Sequence, residues 1–353
     1  MKLWEDKVRR TVPYTPGEQP QGTNLIKLNT NENPYPPAPG VEAVKNAMDT
    51  GRLRLYPDPS AGVLVDALAE YYHVGKDQVF VGVGSDDVLS VAFLTFFNSQ
   101  KPVLFPDITY SFYPVWADIY RIPYETRPLD EDFRIRPQDY YGDNGGIVFP
   151  NPNAPTACYE SLETVEEILK HNRDVVVIVD EAYIDFAGDG KSALKLLDKY
   201  DNLLVVQTFS KSRSMAGLRI GYAMGCPELI RAMNDVKYSI NSYTMNLPSL
   251  LMGAEAVKDK AYFETCVAKI KATREKTKER LAALGFEFPD SQANFIFAKH
   301  PDYEGKELFE ALRRQSIFVR YFDKPRIDQY LRITVGTDEQ MDVLMKFFEE
   351  YMA

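Results

Sequence analysis

Lys211 closes an apolar run, Leu203-Leu204-Val205-Val206-Gln207-Thr208-Phe209-Ser210-Lys211, and Ala216-Gly217-Leu218-Arg219 follows shortly after it. Lysine forms Schiff bases with carbonyl compounds once burial or a neighbouring cation depresses its pKa. Thr208 and Ser210 offer hydroxyls and Arg219 offers charge-assisted hydrogen bonds, a set suited to a phosphate dianion. A Ser-Lys pair after a strand is usually a solvated loop, but Gly-Leu-Arg at this offset favours the chemical reading. A second run, Val177-Ile178-Val179-Asp180-Glu181-Ala182-Tyr183, carries Asp180 out of a fully apolar strand into a partly desolvated place. An acid is tolerated there beside a cationic or protonated partner, such as a protonated ring nitrogen. Viewed alone, Asp180 reads equally well as the N-cap of a following helix.

Three more segments carry weaker signals. Val81-Gly82-Val83-Gly84-Ser85-Asp86-Asp87 runs through glycines into a helix, whose free N–H groups suit a phosphate. An ordinary capped turn is the plainer reading, and the third glycine of a dinucleotide fingerprint is absent. Gly146-Ile147-Val148-Phe149-Pro150-Asn151-Pro152-Asn153-Ala154-Pro155-Thr156 is a strand ending in an Asn/Pro turn, which by itself is any rigid loop. Tyr110, in Thr109-Tyr110-Ser111, follows another strand and either stacks on an aromatic ligand or packs in the core. His73, His171 and His300 match no metal-ligand spacing, so no metal site is expected.

These segments need a frame that brings strand ends together. Strands are predicted at Val79–Val81, Val103–Phe105, Gly146–Phe149, Val175–Val179, Leu203–Gln207 and Ile220–Met224. Helices near 62–72, 85–97, 161–171 and 227–236 alternate with them. That order predicts an α/β fold with a mostly parallel sheet, its ligands at the carboxyl ends of the strands. Beyond it, a long helix over 260–284 stops at Gly285, and strands 294–298, 317–322 and 331–335 interleave with helices 305–315 and 338–351. The expected division is an N-terminal arm (1–39), a large α/β domain (40–250) and a smaller α+β domain (251–353) with which the arm packs. A helix from Met245 to Val257 is expected near the boundary.

The order Gly-Ser-Asp, Asn-Pro-Asn-x-Pro-Thr, Asp-Glu-Ala-Tyr, Thr-x-Ser-Lys and Gly-Leu-Arg resembles the fold-type I aminotransferases. Within them, Leu28-Asn29-Thr30-Asn31-Glu32-Asn33-Pro34, Arg54-Leu55-Tyr56-Pro57-Asp58 and Leu331-Arg332-Ile333-Thr334-Val335-Gly336-Thr337 resemble the histidinol-phosphate aminotransferase family from Leu28 onward. The resemblance implies pyridoxal 5'-phosphate held covalently on Lys211, which then shuttles a proton at the substrate. It implies that Asp180 keeps the ring nitrogen protonated, Tyr183 bonds the phenolic oxygen and Tyr110 stacks on the ring. It further implies a phosphate held by the amides of Ser85, Asp86 and Asp87 with Thr208, Ser210 and Arg219. Tyr56 is implied to reach that phosphate from the other subunit of a homodimer. Arg332, with Arg320 and Tyr14, is implied to bind the substrate's anionic group. The family's usual turn is Asn-Asn-Pro-Thr-Gly; here Ala154 replaces the second Asn and Ala157 the Gly. Either Asn153 substitutes for the missing amide or Tyr183 holds the phenolic oxygen alone.

Bulk properties agree. A chain of 353 residues can bury two cores, and a formal charge of -10 argues against nucleic-acid or anionic-membrane surfaces. Three scattered cysteines, with neither a signal peptide nor a membrane-length apolar run, point to the cytoplasm. The implied reaction converts histidinol phosphate and 2-oxoglutarate to imidazole acetol phosphate and glutamate. An aromatic-amino-acid aminotransferase or a phosphothreonine decarboxylase carries similar motifs. A cofactor-sensing DNA-binding regulator would need a module for which the N-terminal segment has little room.

Overall fold

The computed structural model describes residue 2 and residues 4–353; Met1 and Leu3 of the expected arm lie outside the described residues. A short strand, β1 (Ile26–Lys27), precedes helices α1 (Pro39–Ala47) and α2 (Gly62–Tyr72). Strands and helices then alternate as β2 (Val79–Gly82), α3 (Ser85–Phe96), β3 (Val103–Pro106), α4 (Tyr113–Tyr120), β4 (Tyr124–Arg127), β5 (Gly146–Pro150) and α5 (Leu162–His171). Next come β6 (Val177–Asp180), β7 (Leu203–Thr208) and β8 (Gly221–Met224), then α6 (Pro227–Ile240), α7 (Leu247–Lys258) and α8 (Lys260–Ala283). The chain ends with β9 (Phe295–Ala298), α9 (Gly305–Arg314), β10 (Ile317–Phe318), β11 (Arg320–Tyr321), β12 (Leu331–Thr334) and α10 (Asp338–Tyr351).

Seven strands form the main sheet in the order β2-β8-β7-β6-β5-β3-β4. Only β8 runs against its neighbours within this sheet. The central strands β5, β6 and β7 are buried along their whole length because both faces are covered, and they are apolar except at their carboxyl ends. Val177, Val179, Leu203 and Val205 enter one core layer, while Ile178, Leu204 and Val206 enter the other. Because β8 alone is reversed in this sheet, β2, β3, β5, β6 and β7 run the same way, and their carboxyl ends share one edge.

One strand of this sheet and one helix beside it are absent from the predicted elements. The edge strand β4 is polar and largely exposed, so no apolar run marks it. Helix α4 is a short aromatic stretch directly after the Tyr110 loop, burying Tyr113 and Trp116.

The C-terminal part contains an antiparallel sheet, β11-β12-β9, and β10 pairs in parallel with β1 of the arm. The expected single strand over 317–322 is therefore two strands. Its first half bonds to the arm, far away in sequence, and the chain turns at buried Val319 before joining β12. Helix α7 packs on α1 and α2, and Asp259 ends it while capping α8 through the Tyr262 amide. Tyr183 and Ala154 share a core cluster with residues of β9, β12 and α10, which ties the large sheet's edge to the C-terminal elements.

Candidate active site

A cavity of about 240 Å³ opens where the parallel strands end. At one side α3 begins on Gly84, at φ +85° and with no side-chain cap. The first amides of a helix lack intrahelical acceptors, so those of Ser85, Asp86 and Asp87 are available to an anion. Ser85 and Asp86 line the cavity, whereas the Asp87 carboxylate turns back to accept from the Val83 amide at 2.9 Å. Facing them is the loop joining β7 to β8. From it Arg219 reaches Ser210 Oγ (3.3 Å) and Asp86 Oδ2 (3.4 Å), and Thr208 Oγ1 donates to Ser210 Oγ (3.1 Å). A Cβ on Gly84 would lie 2.5 Å from Arg219 Nη2, and one on Gly221 would collide with Gly84 and Ser85 backbone. Both glycines are thus needed for the two segments to close into a cradle.

Asp180 ends β6 in the cavity wall, 4% exposed. It accepts from the Tyr113 hydroxyl at 3.0 Å and the Ala182 amide at 3.3 Å, neither of them cationic. Burial pushes its carboxyl up to about 7 despite both bonds. Lys211 Nζ donates to Thr30 O at 2.9 Å. Burial, then the nearby Arg332 charge, lowers its pKa to about 8, while Glu32 opposes them. The Tyr183 hydroxyl accepts from Asn31 Nδ2 at 3.0 Å. Tyr110 lines the cavity with its hydroxyl on Asp86 Oδ1 at 2.7 Å.

The opposite side of the cavity is cationic. Arg320 and Arg332 are direct cross-strand partners on β11 and β12, so both side chains leave the same face. Arg332 donates from Nη2 to Asn29 O at 2.8 Å, and its buried Nε has no hydrogen-bond partner among the described residues. Burial and then Arg320 lower the Arg332 pKa, with the Tyr183 phenol acting the other way. Tyr14 of the arm stacks on Phe112 at 4.4 Å and also lines the cavity.

Two expected residues lie elsewhere. Asn153 is buried outside the cavity wall, its amide donating to Ile108 O (3.0 Å) and Thr156 Oγ1 (2.9 Å). Its donor hydrogens therefore do not replace the amide missing at Ala154, which does line the cavity. Tyr56 is 82% exposed and stacks on Tyr243, away from this chain's own cavity. Other residues were not singled out from sequence. Asn31, Thr30 and Glu32 bring the arm into the wall, and Tyr113 holds Asp180. The signal for the first three was present in the Asn29–Pro34 run; only its place in the fold was missing.

A lysine of depressed pKa, an anion cradle and a buried acid without a cationic partner together fit a phosphorylated pyridine aldehyde. The chain belongs to the aminotransferase class I and II family, which matches residues 23–348, and is a pyridoxal-phosphate-dependent aminotransferase. It is 50% identical over 349 residues to a histidinol-phosphate aminotransferase of Lactococcus lactis subsp. cremoris (strain MG1363), covering 99% of this chain and 98% of that one. Against a histidinol-phosphate aminotransferase of Pseudomonas syringae pv. syringae (strain B728a) it is 52% identical over 346 residues, with 98% of each chain covered. The fold matches the crystal structure of histidinol-phosphate aminotransferase from Clostridium acetobutylicum (TM-score 0.86, 22% identity, 93% and 99% covered). It also matches the Sinorhizobium meliloti enzyme in complex with pyridoxal-5'-phosphate (TM-score 0.85, 22% identity, 93% and 90% covered). The α/β, fold-type I expectation is borne out.

Proposed function

We propose that this enzyme moves the amino group of histidinol phosphate to 2-oxoglutarate, forming imidazole acetol phosphate and glutamate in histidine biosynthesis. The observation that carries the substrate choice is the register pairing of Arg320 with Arg332. Like charges directly opposite on a sheet repel, so the pair calls for an anion between them. A carboxylate needs one guanidinium for a bidentate contact; a phosphate ester carries nearly twice the charge and uses both. Tyr14 adds a hydroxyl beside them. The relatives' names agree with this reading.

When bound, the cofactor supplies an electron sink for charge developing at the substrate's Cα. The remaining work falls to the chain. Lys211 anchors the cofactor, and with a pKa about 8 its Nζ is basic enough to take the Cα proton and acidic enough to return it. Asp180 would keep a proton on the ring nitrogen, Tyr183 would donate to the phenolic oxygen and Tyr110 would stack on the ring; all three line the cavity. The amides of Ser85, Asp86 and Asp87 hold the phosphate with Thr208, Ser210 and Arg219. The working unit in this proposal is a cytoplasmic homodimer in which Tyr56 of a second copy completes the phosphate site. The exposed Leu53, Leu55, Tyr56, Ile240 and Tyr243 support a partner surface there. Among the described residues, no helix is long and apolar enough to cross a membrane.

Incubation of the cofactor-loaded protein with histidinol phosphate and 2-oxoglutarate tests the reaction type. The expected result is glutamate in step with the amine consumed; carbon dioxide release without glutamate would contradict it.

A further inference from the structure

Asn31 is 1% exposed and adopts φ +57°, a left-handed conformation that asparagine tolerates better than most residues. Its backbone is fixed from both sides. The N–H donates to Thr334 Oγ1 at 3.0 Å, and the carbonyl accepts from Asn294 Nδ2 at 3.0 Å. Because Thr334 Oγ1 already accepts that amide, its own proton goes to Asn31 Oδ1 at 3.0 Å. That bond sets the amide's orientation and aims Nδ2 at the Tyr183 hydroxyl, 3.0 Å away. A phenol has one proton to give. With Asn31 donating into its oxygen, Tyr183 has its O–H left for the cavity. Meanwhile Ala154 brings only a methyl group to the wall where the resemblance has an amide.

We propose that Asn31 is a positioning residue: the directed chain Thr334 to Asn31 to Tyr183 makes Tyr183 a one-way donor to the cofactor's phenolic oxygen, compensating for Ala154. The inference rests on the role proposed for Tyr183 above. It also gives the arm a part in tuning the cofactor. Leu28 bonds to Phe318 O (2.7 Å) and Thr334 N (2.9 Å), and this pairing holds Asn31 in place. Loss of that pairing would release the tyrosine.

The test is a visible-absorbance pH titration of the cofactor-loaded protein. A donor to the phenolic oxygen draws electron density from it and lowers the pKa of the adjoining Schiff-base nitrogen. Tyr183→Phe is expected to raise that pKa. Asn31→Gly, which accepts the left-handed backbone, and Thr334→Val, which keeps the side-chain volume, should each raise it by roughly half to one unit. In a Tyr183→Phe background neither should add a further shift. If Asn31→Gly does not fold, as judged by circular dichroism, Thr334→Val carries the same comparison. Unshifted titrations in the Asn31 and Thr334 variants, beside a shifted Tyr183→Phe, would overturn the relay alone. So would shifts that persist undiminished without the Tyr183 hydroxyl. An unshifted Tyr183→Phe would overturn the role of Tyr183 and the relay with it.

Discussion

The Tyr113 hydroxyl donates to Asp180 Oδ2 at 3.0 Å, and this bond stabilises the ionised carboxylate at the end of β6. Burial nevertheless wins, holding the carboxyl at about 7 against its usual 3.8. The folded chain therefore keeps a proton that the unfolded chain releases. The sign follows from linkage: a raised acid pKa contributes stability below about 4, and that contribution is lost as pH rises to about 7.

Asp180→Asn removes both the proton site and its pH dependence. The cofactor-free variant should lose less stability between pH 4 and 7 than the parent, as read by thermal melts. It should still bind cofactor but turn over ~10²-fold or more slowly, since an amide cannot stabilise a protonated ring nitrogen. Near-normal turnover would show that the nitrogen's partner lies elsewhere.

Lys211 must be neutral to attack an aldehyde. With its pKa lowered to about 8, the rate of cofactor loading should rise with pH through that value and level off above it. Stopped-flow absorbance after adding cofactor to the free protein reads this directly. Borohydride reduction and peptide mapping should then place the tag on Lys211; a tag on another lysine would refute the assignment.

Arg332→Ala should impair both half-reactions, with a cost of ~2–5 kcal/mol for leaving a buried anion unpaired. Arg320→Ala should slow the histidinol-phosphate half-reaction much more than the glutamate one. Single-turnover rates with each amine check the difference, and equal losses would remove Arg320 from phosphate recognition.

Tyr56→Phe should weaken cofactor affinity by ~10-fold or more, as expected for one lost hydrogen bond to a charged group. Equilibrium dialysis measures it. An unchanged affinity, or a monomer that holds the cofactor as tightly, would exclude a cross-subunit role.

The parts of the site legible in the sequence are those that one strand or loop delivers. Asp180 is the last residue of its otherwise apolar strand, and Lys211 and Arg219 share the loop between β7 and β8. Contacts made by folding were not legible. Asn31 meets Tyr183 across 152 residues, and Tyr113 meets Asp180 across 67. The Arg320–Arg332 register required knowing that β10 and β11 serve different sheets. Asn153 shows the limit even at short range: it adjoins Ala154, yet its amide points to Ile108 O. The fold was legible because apolar strands covered on both faces stand out; polar β4 did not.

Substrate choice is the central claim, and a half-reaction panel tests it most directly. Cofactor-loaded enzyme is mixed in single turnover with histidinol phosphate, glutamate, phenylalanine or tyrosine, and the loss of the cofactor's visible band is timed. The account predicts the fastest loss with histidinol phosphate, glutamate also reacting, and a large drop for histidinol phosphate in Arg320→Ala. Faster reaction with phenylalanine or tyrosine than with histidinol phosphate would contradict it.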